Sequence, residues 1–139
     1  LRMPRHNENG IEIAEFLNES NKISNVYYPG LSNHPQHELA KKQQLDPNGN
    51  HGFGAMISID LDDYDKASKF TKNLNIFCLA ESLGGVESLI CHPAKMTHAS
   101  LGPKKREELG ISDGLLRLSV GVEDVVDLKN DLSEALEKI

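Results

Sequence analysis

Tryptophan is absent from these 139 residues, and aromatic residues make up only 5% of them. A core here must be built from aliphatic side chains. Positive charge is in deficit too, with 15 Lys and Arg against 21 Asp and Glu for a net charge of −6. That balance argues against a nucleic-acid or anionic-membrane surface, which needs clustered Lys and Arg. No apolar run approaches the ~18 residues of a membrane-spanning helix. The polar, charged start lacks the pattern of a signal peptide, so the expected location is the cytoplasm. Leu1 is not an initiator Met, and the expectation is a chain that begins inside something longer.

Cysteine is scarce as well. Cys78 and Cys91 match neither a CxxC redox motif nor a zinc knuckle. A disulfide between them is one reading; two buried thiols in a reducing compartment is the expected one. Neither an HExxH nor a GxSxG string occurs, so zinc-protease and serine-hydrolase chemistry have no support. His34 and His37 are three apart on a predicted helix and share a face. No third ligand follows at a recognisable spacing, so no metal site is expected and the histidines are assigned to solvated surface.

What is present is ordinary for a folded domain: 38% hydrophobic and 26% charged residues, which excludes wholesale disorder. A chain of this length buries roughly 68% of its unfolded surface. Residues 1–139 read as one domain.

Helices and strands alternate along it. Asn7 to Ser20 carries Ile13, Ala14 and Leu17 at helical spacing, with Gly10 weakening its start. Val26 to Tyr28 is a short β-prone run stopped by Pro29-Gly30, and His34 to Gln44 reads as a helix with Pro35 in its first turn. Asp46 to Asn50 is a polar loop. Gly54 to Leu61 alternates, with Ala55, Ile57, Ile59 and Leu61 on one side and Met56, Ser58 and Asp60 on the other. Asp62 or Asp63 then offers an N-cap for a helix with Ala67, Phe70 and Leu74 on its inner side.

Ile76 to Ala80 and Val86 to Cys91 are strand-length apolar runs separated by Glu81 to Gly85. Pro103 to Leu109 is a charged helix stopped by Gly110, and Leu115 to Val120 alternates again. The last helix shows the clearest stripe, with Val125, Leu128, Leu132, Ala135, Leu136 and Ile139 on one face. Glu123, Asp124 and Asp127 lie near its N-terminus, where the helix dipole favours negative charge. The expected class is α/β (α+β), a small mostly antiparallel sheet with helices on one face and the other face free.

Arg117 stands in the middle of the strand Leu115 to Val120, on the side shared with Leu115 and Ser119. An exposed edge tolerates an arginine there, whereas a central strand requires a partner. One reading is an anion anchor, since a planar guanidinium holds a carboxylate through two parallel hydrogen bonds. The other is a salt-bridged or surface arginine. Gly84 and Gly85 let the backbone approach a ligand closely, yet a tight connection between two strands explains them equally well. The residues by themselves supply no complete catalytic set.

Longer strings add a resemblance. Val26-Tyr27-Tyr28-Pro29-Gly30-Leu31, His34-Pro35 and His37-Glu38-Leu39-Ala40 are similar to the trans-sulfuration enzymes, the pyridoxal-phosphate-dependent Cys/Met metabolism family. So are Gly52 to Met56, Ala80 to Leu89, His92-Pro93-Ala94, Met96 to Ala99, Gly110 to Leu115 and Arg117 to Asp124. They follow in the family's order, and residues 45–51 resemble a small insertion.

The resemblance is to the C-terminal domain of these fold-type I enzymes. It implies that the large domain, with its Ser-x-Thr-Lys Schiff-base lysine and phosphate-binding residues, lies outside this chain. No catalytic or cofactor-binding residue is then expected here, and the chain alone is expected to be inactive. It further implies that Arg117 binds the substrate α-carboxylate, with the Ser82 backbone beside it. Glu81 would line the distal end of the pocket and Thr97 its wall.

Phe77 to Ile90 is most similar to the γ-synthase and then the γ-lyase members, with β-lyases a further alternative. The implied cofactor is pyridoxal 5'-phosphate, and the implied substrates are O-acyl-homoserine, cysteine and cystathionine in methionine and cysteine metabolism. A homotetramer is the implied assembly. A reading from another class is a free-standing, non-catalytic amino-acid-binding or assembly module.

Overall fold

The computed structural model describes residues 1–139. Its elements run α1 (Met3–Asn18), β1 (Asn25–Tyr27), α2 (His37–Gln43), β2 (Met56–Asp60), α3 (Tyr64–Lys72), β3 (Cys78–Leu79), β4 (Leu89–Cys91), α4 (Pro103–Glu108), β5 (Leu115–Ser119) and α5 (Val125–Glu137). The five strands form one sheet in the order β1-β2-β5-β4-β3. Three pairings are antiparallel and one, β3 with β4, is parallel. This is the mixed α/β, mostly antiparallel class that the alternating elements predict.

The alternation in the two longest strands decides where the core lies. Ile57 pairs with Leu118 and Ile59 with Leu116, and all four are fully buried. Above them sit Ile13, Ala14 and Leu17 of α1, Ala67 and Phe70 of α3, and Leu128, Leu132, Ala135 and Leu136 of α5. Fully burying a Leu or Ile side chain contributes about 1.5–3 kcal/mol, so this layer is the main source of stability. Asp63 caps α3 by accepting from the Lys66 N–H at 2.9 Å, and Asp124 caps α5 through the Val126 N–H at 2.8 Å.

Several expectations change. Helix α1 begins at Met3, not Asn7, because Pro4 suits the first turn. Gly10 is therefore internal: a Cβ there would collide with the Gly54 carbonyl oxygen, two residues ahead of β2. Helix α2 begins only at His37, so Pro35 and His34 fall in the preceding turns and the two histidines share no helical face. His34 Nδ1 accepts from the Gln36 N–H, whereas His37 Nδ1 bonds the Pro29 carbonyl.

His6 and His92 are buried, contrary to the surface assignment, each with a ring nitrogen bonded to a backbone carbonyl. Cys91 is buried but Cys78, on the edge strand β3, is exposed, and both are free thiols. No helix is long and apolar enough to cross a membrane.

Because β3 and β4 are parallel, the segment between them cannot be a tight turn. It must carry the chain back along the sheet. Asp131 of α5 fixes where that segment starts. Its buried carboxylate accepts from the backbone N–H groups of Asn75, Ile76 and Phe77 at 2.7, 2.9 and 3.2 Å.

Candidate functional site

The sheet face opposite this core carries the other half of each strand, and Leu89, Cys91 and Ser119 on it are themselves buried. Register puts Ser58, Arg117 and Cys91 in one row across β2, β5 and β4. The adjacent row is Met56, Ser119 and Leu89. Arg117 is thus on the central strand, the position at which its sequence context demanded a partner. It has none within the chain: Nη2 is buried without a hydrogen bond, and no ion pair includes Arg117. A buried, unmatched guanidinium nitrogen is costly. An anion reaching it would remove that cost, and a carboxylate matches its planar fork.

The segment following β3 passes beside this row. Gly84, in the left-handed region at φ +76° that glycine adopts freely, donates its N–H to Ser119 Oγ at 2.8 Å. Ser119 is two residues from Arg117 and on the same face of β5. Glu81 and Ser82 are exposed on this tethered segment. Thr97 enters from the segment after β4, its Oγ1 at 4.0 Å from Cys91 Sγ and 2.8 Å from His98 Nδ1. The structure therefore joins Arg117 to Thr97 through Cys91, and to the Ser82 segment through Ser119. Glu81 takes part in no ion pair.

Some of this escaped the sequence. Ser58 and Ser119 lay on the polar side of their strands, which was signal enough to place them near Arg117 once the strand order was known. Glu123 was assigned to the dipole of α5, but its carboxylate instead accepts from Ser88 N at 2.7 Å and Ser88 Oγ at 2.8 Å. No local pattern marks that pair. A separate hollow of about 260 Å³ near α4 is lined by Arg106, Glu107 and Asp113 among others. There Arg106 donates to the Leu101 carbonyl through Nη1 and pairs with Asp113 through Nη2, and only its Nε is buried without a partner. Arg117 differs in that its guanidinium forms no ion pair at all.

Comparison with known proteins assigns the family. The model of the Cys/Met metabolism PLP-dependent enzymes matches residues 1–137. The chain belongs to that family. A cystathionine β-lyase of Lactococcus lactis subsp. cremoris is 57% identical over 138 residues, 99% of this chain and 35% of its own length. A cystathionine γ-lyase of Bacillus subtilis is 51% identical over 139 residues, all of this chain and 35% of its own length. A crystal structure of cystathionine γ-synthase from Xanthomonas oryzae pv. oryzae in complex with cystathionine superposes with a TM-score of 0.88. It is 47% identical, with 99% of this chain and 34% of that one covered. The chain thus spans about a third of the length of these relatives.

The family's cofactor is pyridoxal phosphate, but the residues here do not fit its seat. None of the lysines is buried and none follows a Ser-x-Thr string. Among the buried side-chain atoms without a partner, Arg117 Nη2 is the one on the central strand of the sheet.

Proposed function

We propose that this chain is the C-terminal, substrate-carboxylate-binding domain of a longer PLP-dependent enzyme acting on the C–S bond of cystathionine. The observation that carries this is the buried, unpartnered Nη2 of Arg117 on the central strand. The cofactor supplies the electron sink for carbanion chemistry, and the protein supplies orientation. Arg117 binds the α-carboxylate and thereby fixes the Cα–H bond relative to the cofactor. The Ser82 backbone, tethered through Gly84, flanks the same carboxylate. Glu81 faces the distal end of the substrate, and Thr97 forms part of the wall.

Cleavage of cystathionine is placed first, because the lyases above are 57% and 51% identical to this chain. This reverses the order implied by Phe77 to Ile90. Synthesis from an O-acyl-homoserine and cysteine is the second reading, supported by the 47% identical γ-synthase structure. A cytoplasmic homotetramer completes the proposal.

In the full-length holoenzyme, Arg117→Ala should raise KM for cystathionine by ~2–4 kcal/mol of lost binding. An unchanged KM would overturn the carboxylate assignment. Product analysis then separates the reactions: homocysteine marks cleavage at Cβ, cysteine marks cleavage at Cγ, and cystathionine formed from O-succinylhomoserine and cysteine marks synthesis.

A further inference from the structure

Between Arg117 and α5 the chain makes contacts that the carboxylate site does not itself require. Glu123 is gripped from behind by α1: Asn9 Nδ2 donates to its carbonyl at 2.9 Å and to the Gly121 carbonyl at 3.0 Å, and Arg5 Nη2 donates to the Glu123 carbonyl at 3.3 Å. With its backbone so held, its carboxylate reaches forward to the segment that carries Ser82. One oxygen accepts from Ser88 N at 2.7 Å and the other from Ser88 Oγ at 2.8 Å.

Ser88 is fully buried, and its hydroxyl also accepts the Gly121 N–H at 2.8 Å. The Val122 N–H donates to the Val86 carbonyl at 2.9 Å beside it. Gly84, four residues earlier, is tied to Ser119. The segment from Gly84 to Ser88 is therefore pinned at both ends to the strand that bears Arg117 and to its continuation.

We propose that Glu123 is a positioning residue for the substrate carboxylate: it holds the Ser82 segment at the distance from Arg117 at which guanidinium and backbone grip one carboxylate together. This deepens the reading of Arg117 given above and rests on it. Glu123 meets no substrate atom; it acts through Ser88. Two charge-assisted bonds to one residue define both the separation and the orientation of the segment. A neutral amide at the same place can turn its NH2 to the second lone pair of the Ser88 oxygen, but the hydroxyl proton is then left without its acceptor and neither bond is charge-assisted, so the clasp is weakened.

The test compares Glu123→Gln, Ser88→Ala and Arg117→Lys in the full-length holoenzyme, measuring KM and kcat for cystathionine together with the melting temperature. Glu123→Gln is expected to raise KM roughly tenfold, the loss of about one charge-assisted hydrogen bond, with kcat within about twofold. Ser88→Ala should do the same, and the double variant should add little to either. Arg117→Lys reports on the underlying carboxylate reading: if its KM is unchanged, that reading fails and Glu123 has nothing to position. If Arg117→Lys raises KM while Glu123→Gln lowers only the melting temperature, the carboxylate reading stands and the positioning role is overturned. Should Glu123→Gln not fold, Ser88→Ala decides alone, and an unchanged KM in it overturns the proposal.

Discussion

The two faces of the central strand β5 are made from alternate residues of one short segment, and they obey opposite rules. Leu116 and Leu118 point into a layer of Ile57, Ile59 and three helices, where every neighbour is supplied by the chain itself. Arg117, between them in sequence, points to the other side and finds no partner for its buried Nη2. A strand delivers both environments because successive side chains leave opposite sides of the sheet. The closed face is complete and supplies stability, while the open face is incomplete. Its unmatched guanidinium nitrogen is what the proposed carboxylate site rests on.

The sharpest way to break this contrast is to damage the closed face. Leu118→Ala should cost about 3–5 kcal/mol, because the residue is fully buried on the central strand and a cavity would remain. Chemical denaturation reads this directly, and a loss below about 1 kcal/mol would show that the layer is looser than its burial implies.

Asp131→Ala is next. Three backbone N–H groups lose their acceptor, at a cost of about 3 kcal/mol. Hydrogen exchange should show the start of β3 opening ahead of the rest of the sheet; uniform exchange would argue that α5 does not hold that segment.

Tyr28 gives a smaller effect with a pH signature. It is buried and donates its hydroxyl to the Gly54 carbonyl at 2.8 Å. Burial foremost, and then the Glu15 charge, pushes its ionisation well above the ordinary phenol value of 10.0. The folded state thus holds this proton more tightly than the unfolded state does. Its contribution is complete below pH 10 and is lost as pH rises beyond it. Tyr28→Phe should cost about 1 kcal/mol at neutral pH and flatten the alkaline decline; an equally steep decline in the variant would assign it to other groups.

The smallest change in stability belongs to the open face. Arg117→Met should leave stability within about 1 kcal/mol, on the side of a gain, since it removes a buried donor that nothing satisfies. Equilibrium unfolding without substrate checks this. A large destabilisation would mean that Arg117 is structural after all and would erase the distinction between the faces.

Much of this architecture is legible from local pattern. The strand around Ile57 and Ile59, a cap at Asp62 or Asp63 and the stripe of α5 were all readable, because each depends on neighbours within one segment. Glu81 and Ser82 could be placed on a loop, yet not on the side of the sheet where Arg117 lies. The parallel pairing of β3 with β4 was hidden, since a run such as Ile76 to Ala80 carries no mark of direction. Gly10 read as a weak helix start because the reason for it, the Gly54 backbone, belongs to another part of the chain.

From its own residues the chain determined which side of each element is apolar, that helix α3 is capped at Asp62 or Asp63, and that Arg117 stands opposite the core side of its strand. Only the tertiary structure decided that β5 is central, that Arg117 lacks a partner there, and that Glu123 meets Ser88 across 35 residues of sequence. The physical reason is one of range. Periodicity and capping are settled by neighbours along the chain, whereas strand order depends on which distant segments together leave the least apolar surface and the fewest backbone groups unpaired.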